Sequence, residues 1–515
     1  MNPATTAATA RLAPIKDAAW FSDARAQVLA IIVAATALKL ALCPLVGLGT
    51  NEAYAIASGR LMSLSYFDHP PLHFWLAHLS EAIFGDNSAA RIPFILLGAG
   101  TSWMMFALTR RLFGDRTGVW SVAALNLSVF FNLVSGNWIL PDGPLNFFLL
   151  ATAYGLVPTA QGRALRAKGW LVAGLFAGLA VLSKYHAVLF LAGYLLFLLA
   201  GRDRRRMLLT SRPWQAFAFA VVVFSPILLW NASHGWVSLR FQGGRAVPHH
   251  LDIALFFSLL LAQIAVLLPG AFYPLVAGTR QALASRKPEE QYLLCLGLPI
   301  VVLFTLLPLI TDKGMVQWAM PGWLILVPFA GRFLDEKSRT ARWPMRAAVL
   351  LGAAFFVFTV AAGLEFQNGW LGTAFPRLFK HGDPTADNAS WNHLAAILST
   401  QPDAERNFVL TLTWRDAAKI DEALNGRDRV IVASDDPRNF AVDLNPENLE
   451  GHNGWIVLKT PLPVESESAV RGCFQHTAYV SSMVIARNER PDALLDIFRG
   501  DGFSQKSCKL VTFLN

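Results

Sequence analysis

Charge is what this chain has least of. Only 15% of its 515 residues are Asp, Glu, Lys or Arg, where a soluble globular chain carries about 25%. With 54% apolar residues and a mean hydropathy of +0.41, a water-soluble globule is excluded and a polytopic membrane protein is implied. A net charge of +9 would suit nucleic acid, but the basic residues cluster between apolar segments, where their effect is to orient helices. Cysteine is scarce as well. Of the four present, Cys43 and Cys295 fall inside apolar segments, and Cys473 and Cys508 fall in the polar last third. Residues 365–515 contain no Gly-rich phosphate loop and no Cys/His cluster with metal-ligand spacing.

What the chain has in abundance is long apolar runs. A bilayer-spanning helix needs about 20 apolar residues, and eleven candidates are legible: about 27–49, 90–108, 117–135, 144–158, 170–183, 186–200, 214–230, 253–278, 292–310, 318–331 and 345–364. The short pair 170–183 and 186–200 reads as a hairpin interrupted at Ser183-Lys184-Tyr185-His186. Lys and Arg crowd alternate loops, including Arg110, Arg111 and Arg116, then Arg204, Arg205 and Arg206, then Arg280, Arg286 and Lys287. By the positive-inside rule those loops are cytoplasmic. The expected layout is a cytoplasmic segment 1–26, a membrane domain 27–364, and residues 365–515 on the external face.

Beyond residue 365 short alternating runs appear. Strands are expected at 408–413, 430–433, 455–458, 478–486 and 509–513, with helices in 415–425 and near 491–499. The expectation is a compact external α/β domain, either a passive cap or a wall of an acceptor cleft. If that face is oxidising, Cys473 and Cys508 are candidates to pair.

One polar stretch interrupts the apolar pattern on the external side. It runs Thr50-Asn51-Glu52-Ala53-Tyr54, then Tyr66-Phe67-Asp68-His69-Pro70-Pro71, and Pro141-Asp142-Gly143-Pro144 adds a carboxylate at the head of a later span. Ionisable groups at a membrane rim are costly to desolvate and mark sites. Residues 72–85 carry apolar side chains at 72, 75, 76, 79 and 83. That is helical spacing with one apolar face, as in a helix lying on the membrane surface.

The run "NEAYAIASGRLMSLSYFDHPPLHFWL" followed by "LPDGPLNFFLLATAYGL" resembles the GT-C superfamily of membrane glycosyltransferases, among them bacterial relatives of the protein O-mannosyltransferases and the aminoarabinose and galacturonic acid transferases of lipid A. "KYHAVLF", "HGWVSLRFQGGRA" and, in the last third, "WRDAAKIDEALNG" and "ASDDPRNFA" are similar to the same group. The resemblance implies a sugar donor on a polyprenyl phosphate, an acidic residue in the first external loop, a surface helix after it, and a second acid opening the fourth span. It implies a bacterial inner-membrane enzyme working on the periplasmic side, with a lipid A, glycan or protein acceptor. Where the family often has Asp-Glu, this chain has Asn51-Glu52, which leaves Glu52 as the expected base.

Chemistry of that kind needs a base for the acceptor hydroxyl, and Glu52 is the first choice. Asp142 would stabilise the developing sugar cation or orient the acceptor. Lys184, His186, Arg240, Arg245 and His69 are candidates for the donor phosphate, and Asn51, Tyr54, Asp68 and Tyr185 for positioning sugar or acceptor. Only Glu52, Asp68 and Asp142 could hold a metal, without a dense Asp-x-Asp arrangement, so a metal-independent reaction without cofactor is expected. Blander readings stand beside each assignment. Glu52 could be a solvated loop acid, Asp142 a helix cap, and Lys184 a snorkelling side chain. Arg240 and Arg245 could be routine loop charges. A transporter or flippase of lipid-linked sugars, or a catalytically silent glycolipid-binding homologue, is the alternative at the level of the whole chain. No convincing internal repeat favours the transporter.

Overall fold

The computed structural model describes residues 23–85, 88–245, 247, 252–377, 379, 383–399, 408–442, 444, 446–487 and 490–508. Its first two thirds are helical. Helix α1 (Ala24–Leu42) is followed by α2 (Thr50–Arg60) and α3 (Leu72–Phe84), then α4 (Ile92–Phe113), α5 (Asp115–Asn126), α6 (Asp142–Ala160), α7 (Ala167–Ser183) and α8 (Ala187–Leu199). A short α9 (Arg202–Arg205) leads to α10 (Ser211–Ser233), α11 (Val237–Gly244), α12 (Ile253–Leu267), α13 (Phe272–Leu283), α14 (Pro288–Leu306), α15 (Met320–Thr340) and α16 (Trp343–Asn368). Five helical segments among the described residues are long and apolar enough to cross a bilayer: Ala24–Leu45, Ser88–Phe113, Ser211–Ser233, Pro288–Leu309 and Trp343–Asn368. Shorter apolar helices such as α7, α8 and α12 pack among them. The interior is one apolar cluster, with Phe106, Leu149, Phe190, Phe197, Leu296, Ile325 and Phe329 buried in it.

Two expected spans are broken. Residues 253–278 form α12 and α13, separated at Leu268-Pro269-Gly270-Ala271. Proline cannot donate into the helical ladder, and the backbone around Gly270 presses on Leu127, where a Cβ would come within 2.6 Å of that residue's Cβ. Residues 117–135 form α5 and then a π-helical turn, Val129–Val134. The surface-helix spacing of 72–83 has its physical counterpart in α3. The helix buries His73, Phe74, Ala77 and Ser80 and turns Leu79 and Ile83 outward, 54% and 62% exposed.

Beyond α16, short helices α17 (Trp370–Ala374) and α18 (His393–Ser399) precede a five-stranded sheet of order β2-β1-β3-β5-β4. Strands β1 (Phe408–Thr411), β2 (Arg429–Val432) and β3 (Gly454–Thr460) run parallel, with Phe408 opposite Arg429 and Gly454. Helix α19 (Trp414–Leu424) follows β1, and α20 (Val464–Arg471) precedes the antiparallel hairpin of β4 (Phe474–Arg487) and β5 (Arg490–Phe503). The β1 and β3 residues Val409, Leu410, Ile456 and Val457 are almost wholly buried, as expected for strands covered on both faces. The helix expected near 491–499 is instead strand β5. It pairs on both sides, with Trp455 opposite Arg499 and Tyr479 opposite Phe498. Leu495 and Ile497 are buried while Leu494 is exposed, so neighbours on the sheet decide the conformation over local propensity. The strand expected at 509–513 lies outside the described residues. Cys473 and Cys508 are joined in a disulfide, Sγ–Sγ 2.12 Å.

The sheet domain is seated on the first loop. Trp414, Ala418 and Phe440 pack with Tyr54, Tyr66 and Phe74. The Lys419 ammonium donates to the Leu48 carbonyl at 2.9 Å. Arg60 pairs with Glu81 at 2.8 Å and also with Asp421 of α19. Arg487 of β4 ties the domain to the segment after α16, reaching Asp383 at 2.9 Å and Asp492 at 2.6 Å.

Candidate active site

Glu52 sits at the third position of α2, where its carboxylate accepts from the Gly49 amide at 3.0 Å and closes the helix N-terminus. Arg91, at the head of α4 and wholly buried, grips both oxygens through Nε (2.7 Å) and Nη2 (2.5 Å). The Ile139 amide adds a fourth donor at 3.1 Å. The remaining arginine donors reach the Val46 and Gly47 carbonyls at 2.6 and 2.7 Å. The acid expected to serve as base is thus the pin that joins α2, α4 and the 135–141 loop. Its lone pairs are occupied by four donors, a setting unlike that of a free proton acceptor. Asn51 beside it is exposed. Thr50 donates both its amide, at 2.9 Å, and its hydroxyl to the Asp387 carboxylate.

Asp68 is the carboxylate that faces the other candidates. It is 3% exposed. Its Oδ1 accepts from the Tyr54 hydroxyl at 3.0 Å and its Oδ2 from Arg438 Nη1 at 2.8 Å. The Gln242 side-chain amide caps its backbone carbonyl, and Ser238 holds the Tyr66 carbonyl at 2.6 Å, so α11 fixes the turn from below. His69 follows, with its ring 5.6 Å from that of His73. Burial, then the positive charges of Lys184, Arg245 and Arg438, push His69 well below the ordinary histidine range. Burial and the neighbouring His69 do the same to His73. Both are neutral imidazoles at physiological pH, and both keep a buried Nδ1 without a partner.

Lys184 ends α7 in extended backbone, φ −161°. Its ammonium lies between the two oxygens of Asp142, at 2.9 and 3.0 Å, with both side chains at most 5% exposed. Lys184 therefore does not snorkel, and Asp142 does more than cap α6. Tyr185 and His186 turn the hairpin. The His186 ring lies 4.7 Å from Phe304 and 6.1 Å from Trp318, its Nε2 is buried without a hydrogen-bond partner, and the Tyr185 hydroxyl lies beside Ser65, Asn231 and Ser238.

Two guanidinium groups complete the cluster. Arg245, at the end of α11, lies over Phe241 (4.4 Å) and Trp318 (6.0 Å). It makes no ion pair among the described residues, and burial and the charge of Arg438 lower its proton affinity. Arg438, from the sheet domain, lies over Phe241 and Trp414, both at 4.9 Å. Arg240, by contrast, is exposed on α11. The expected candidates thus divide. Asp68, His69, Asp142, Lys184, Tyr185, His186 and Arg245 fall with Tyr54 in one cluster linked by bonds and close charges. Glu52 stands in a separate pin with Arg91, and Asn51 and Arg240 face outward.

The backbone course matches a solved structure over nearly its whole length. ArnT from Cupriavidus metallidurans, bound to undecaprenyl phosphate, superposes with a TM-score of 0.64 at 16% identity, covering 92% of this chain and 97% of that one. That likeness shows the fold: a multi-pass helical membrane domain that carries a small α/β domain.

A family model described as dolichyl-phosphate-mannose-protein mannosyltransferase matches residues 68–230. That stretch holds Asp68, His69, Asp142, Lys184 and His186. The lipid A galacturonosyltransferase RgtD of Rhizobium johnstonii is 27% identical over 386 residues, 69% of this chain and 76% of that protein. The undecaprenyl phosphate-alpha-4-amino-4-deoxy-L-arabinose arabinosyl transferase of Pseudomonas aeruginosa strain UCBPP-PA14 is 30% identical over 166 residues, but the match spans only 28% of its length.

Proposed function

We propose that this chain moves a sugar from a polyprenyl-phosphate donor to a lipid A or related envelope acceptor, on the periplasmic face of a bacterial inner membrane. The observation that carries this reading is the polar cluster itself. Arg245, the Lys184–Asp142 pair, His69 and His186 converge there beside a buried carboxylate, Asp68, and several of their polar atoms have no partner. An anion with several acceptor oxygens satisfies them, and a phosphate diester at the membrane rim is such an anion. The names of the relatives, which act on lipid A or use undecaprenyl phosphate-linked sugar, fit the same substrate class.

In this mechanism Arg245 meets the donor phosphate, and the imidazoles of His69 and His186 supply hydrogen bonds to it. Lys184 adds positive charge while Asp142 holds it in place. Asp68, rather than Glu52, takes the proton of the acceptor hydroxyl. The acceptor oxygen bonds to the anomeric carbon, the bond from that carbon to the phosphate oxygen breaks with its electron pair, and polyprenyl phosphate leaves. Base and leaving group on opposite faces of the carbon give inversion. Asp142, at the head of α6, places negative charge where the sugar carbon becomes cationic.

The test separates chemistry from binding. Asp68→Asn keeps size and removes the proton acceptor, so turnover falls at least ~100-fold with undecaprenyl phosphate affinity retained. Arg245→Ala weakens undecaprenyl phosphate binding by about 1.5–3 kcal/mol, the range for a charged hydrogen bond. Normal turnover in the first variant removes Asp68 from the role. Unchanged affinity in the second removes Arg245.

A further inference from the structure

The sheet domain reaches the carboxylate at the centre of the site, and it does so through a residue in unusual backbone geometry. Arg438 has φ +52°, a left-handed conformation that non-glycine residues adopt only when the surroundings impose it. Its Nε is bound to Asp436 at 2.8 Å, its Nη1 to Asp68 at 2.8 Å, and its plane packs against Trp414 and Phe241. A guanidinium bonded along its edge and packed on two rings has one place to be.

The Asn439 amide donates to the Tyr54 hydroxyl oxygen at 3.2 Å, and that hydroxyl in turn donates to Asp68 Oδ1. The Asn439 side chain accepts from the Phe67 amide at 3.3 Å. Both oxygens of Asp68 are therefore held by groups that the 436–439 turn orients, one directly and one through Tyr54. A domain that only covered the membrane part would need apolar contact with it, such as Trp414 and Phe440 make. It would have no reason to end on the site's own carboxylate.

We propose that Arg438 is a positioning residue for the transfer reaction, which makes the sheet domain an obligate part of the active site. It fixes the Asp68 carboxylate in the orientation that receives the acceptor proton. The assignment rests on Asp68 acting as the base. Arg438 touches neither reacting atom; it works through Asp68, and this predicts a specific non-additivity.

The experiment is a double-mutant cycle on the full-length protein in detergent. Turnover is measured with undecaprenyl-phosphate-linked aminoarabinose and galacturonic acid, with lipid A as acceptor. Arg438→Ala is expected to lower kcat by about 30–100-fold, while Arg438→Lys, which keeps the charge, recovers part of it. In an Asp68→Asn background the same Arg438→Ala change is expected to cost less than about 3-fold. Undecaprenyl phosphate affinity and the thermal midpoint of Arg438→Lys stay at wild-type values. An equal loss from Arg438→Ala in both backgrounds would make Arg438 a structural staple and overturn the proposal. So would a full loss in Arg438→Lys accompanied by a lowered thermal midpoint. Wild-type turnover in Asp68→Asn would defeat the base assignment beneath it. An inactive Asp68→Asn beside a fully active Arg438→Ala would defeat this inference alone.

Discussion

At the scale of single residues, two buried acids of similar sequence setting have different work. Glu52 is bonded to Arg91, the Gly49 amide and the Ile139 amide. Asp68 is bonded to Tyr54 and Arg438 and lies close to His73 and Arg245. Removing the Glu52 charge leaves a buried guanidinium uncompensated, a change that costs about 3–5 kcal/mol. Glu52→Gln is therefore expected to lower the thermal midpoint sharply. The molecules that remain folded keep turnover far above that of Asp68→Asn. Denaturation of the detergent-solubilised protein, with activity normalised to the folded fraction, reads both. A normally stable but inactive Glu52→Gln would return the base role to Glu52.

The same scale shows how far the sequence is legible. The desolvation cost of ionisable groups at a membrane rim picks out Glu52, Asp68, His69, Asp142 and Lys184 without any structure. It does not pick out their partners. Glu52 meets Arg91 39 residues away, Lys184 meets Asp142 42 residues away, and Asp68 meets Arg438 370 residues away. An acid whose partner is unseen reads as a free base, which is why Glu52 stands first in the sequence. Arg438 itself lies in the run Ser434-Asp435-Asp436-Pro437-Arg438, whose density of charge reads as a solvated turn.

The histidines carry the pH dependence. His69 and His73 are held below their ordinary range by burial and nearby charge, whereas the unfolded chain protonates them near pH 6.5. The unfolded state then binds more protons than the folded state, so stability is complete above about pH 6.5 and is lost as pH falls below it. Thermal midpoints measured from pH 7.5 to 5 are expected to drop, and to drop less in a His69→Gln, His73→Gln double variant. Parallel slopes for the two proteins would contradict the assignment.

At the scale of elements, membrane helices and sheet strands differ in how plainly they announce themselves. Long apolar runs such as 27–49 and 345–364 are their own signal, and α1 and α16 occupy them. The run 253–278 hides its break, because Pro269 and Gly270 are two residues in a long apolar stretch and the contact that ends the helix is with distant Leu127. Strand β5 is hidden for a similar reason. Pro491-Asp492-Ala493-Leu494-Leu495-Asp496 has helical spacing, and only pairing with β3 and β4 makes it a strand. The Cys473–Cys508 bridge closes a 35-residue separation in this domain. The chain-entropy model assigns such a loop roughly 3–4 kcal/mol. Reduction is expected to lower the stability of the sheet domain and, through Arg438, to lower turnover in step. Unfolding followed in the Cys473→Ser, Cys508→Ser double variant checks it, and wild-type stability there would remove the bridge from the account.

For the whole molecule, the sheet domain sits on the first loop and the candidate site through Arg438, Lys419 and Arg60, and the basic loops around Arg205 are expected on the other side of the membrane. On the proposed reading the side of the sheet domain is the periplasmic one. A cysteine introduced at exposed Arg205 is then expected to react with an impermeant thiol reagent only after the inner membrane is opened. One at exposed Glu465, in α20, reacts without opening it. The reverse pattern would put the site in the cytoplasm, away from lipid A. The orientation also decides what the two halves do for each other. On the proposed function the helical part holds the donor at the rim, through Arg245, Lys184 and His186. On the same reading the sheet domain, through Arg438, sets Asp68.

The most direct test of sugar transfer is mass spectrometry of a single reaction. Purified full-length protein is mixed with undecaprenyl-phosphate-linked aminoarabinose or galacturonic acid and with lipid A. The wild-type protein is expected to release undecaprenyl phosphate and to add the mass of one sugar to lipid A. Asp68→Asn binds the donor lipid and leaves both substrates unchanged over the same time. Sugar transfer by Asp68→Asn at the wild-type rate, or an undecaprenyl-phosphate sugar that the wild-type protein binds and never cleaves in the presence of acceptor, would contradict the account.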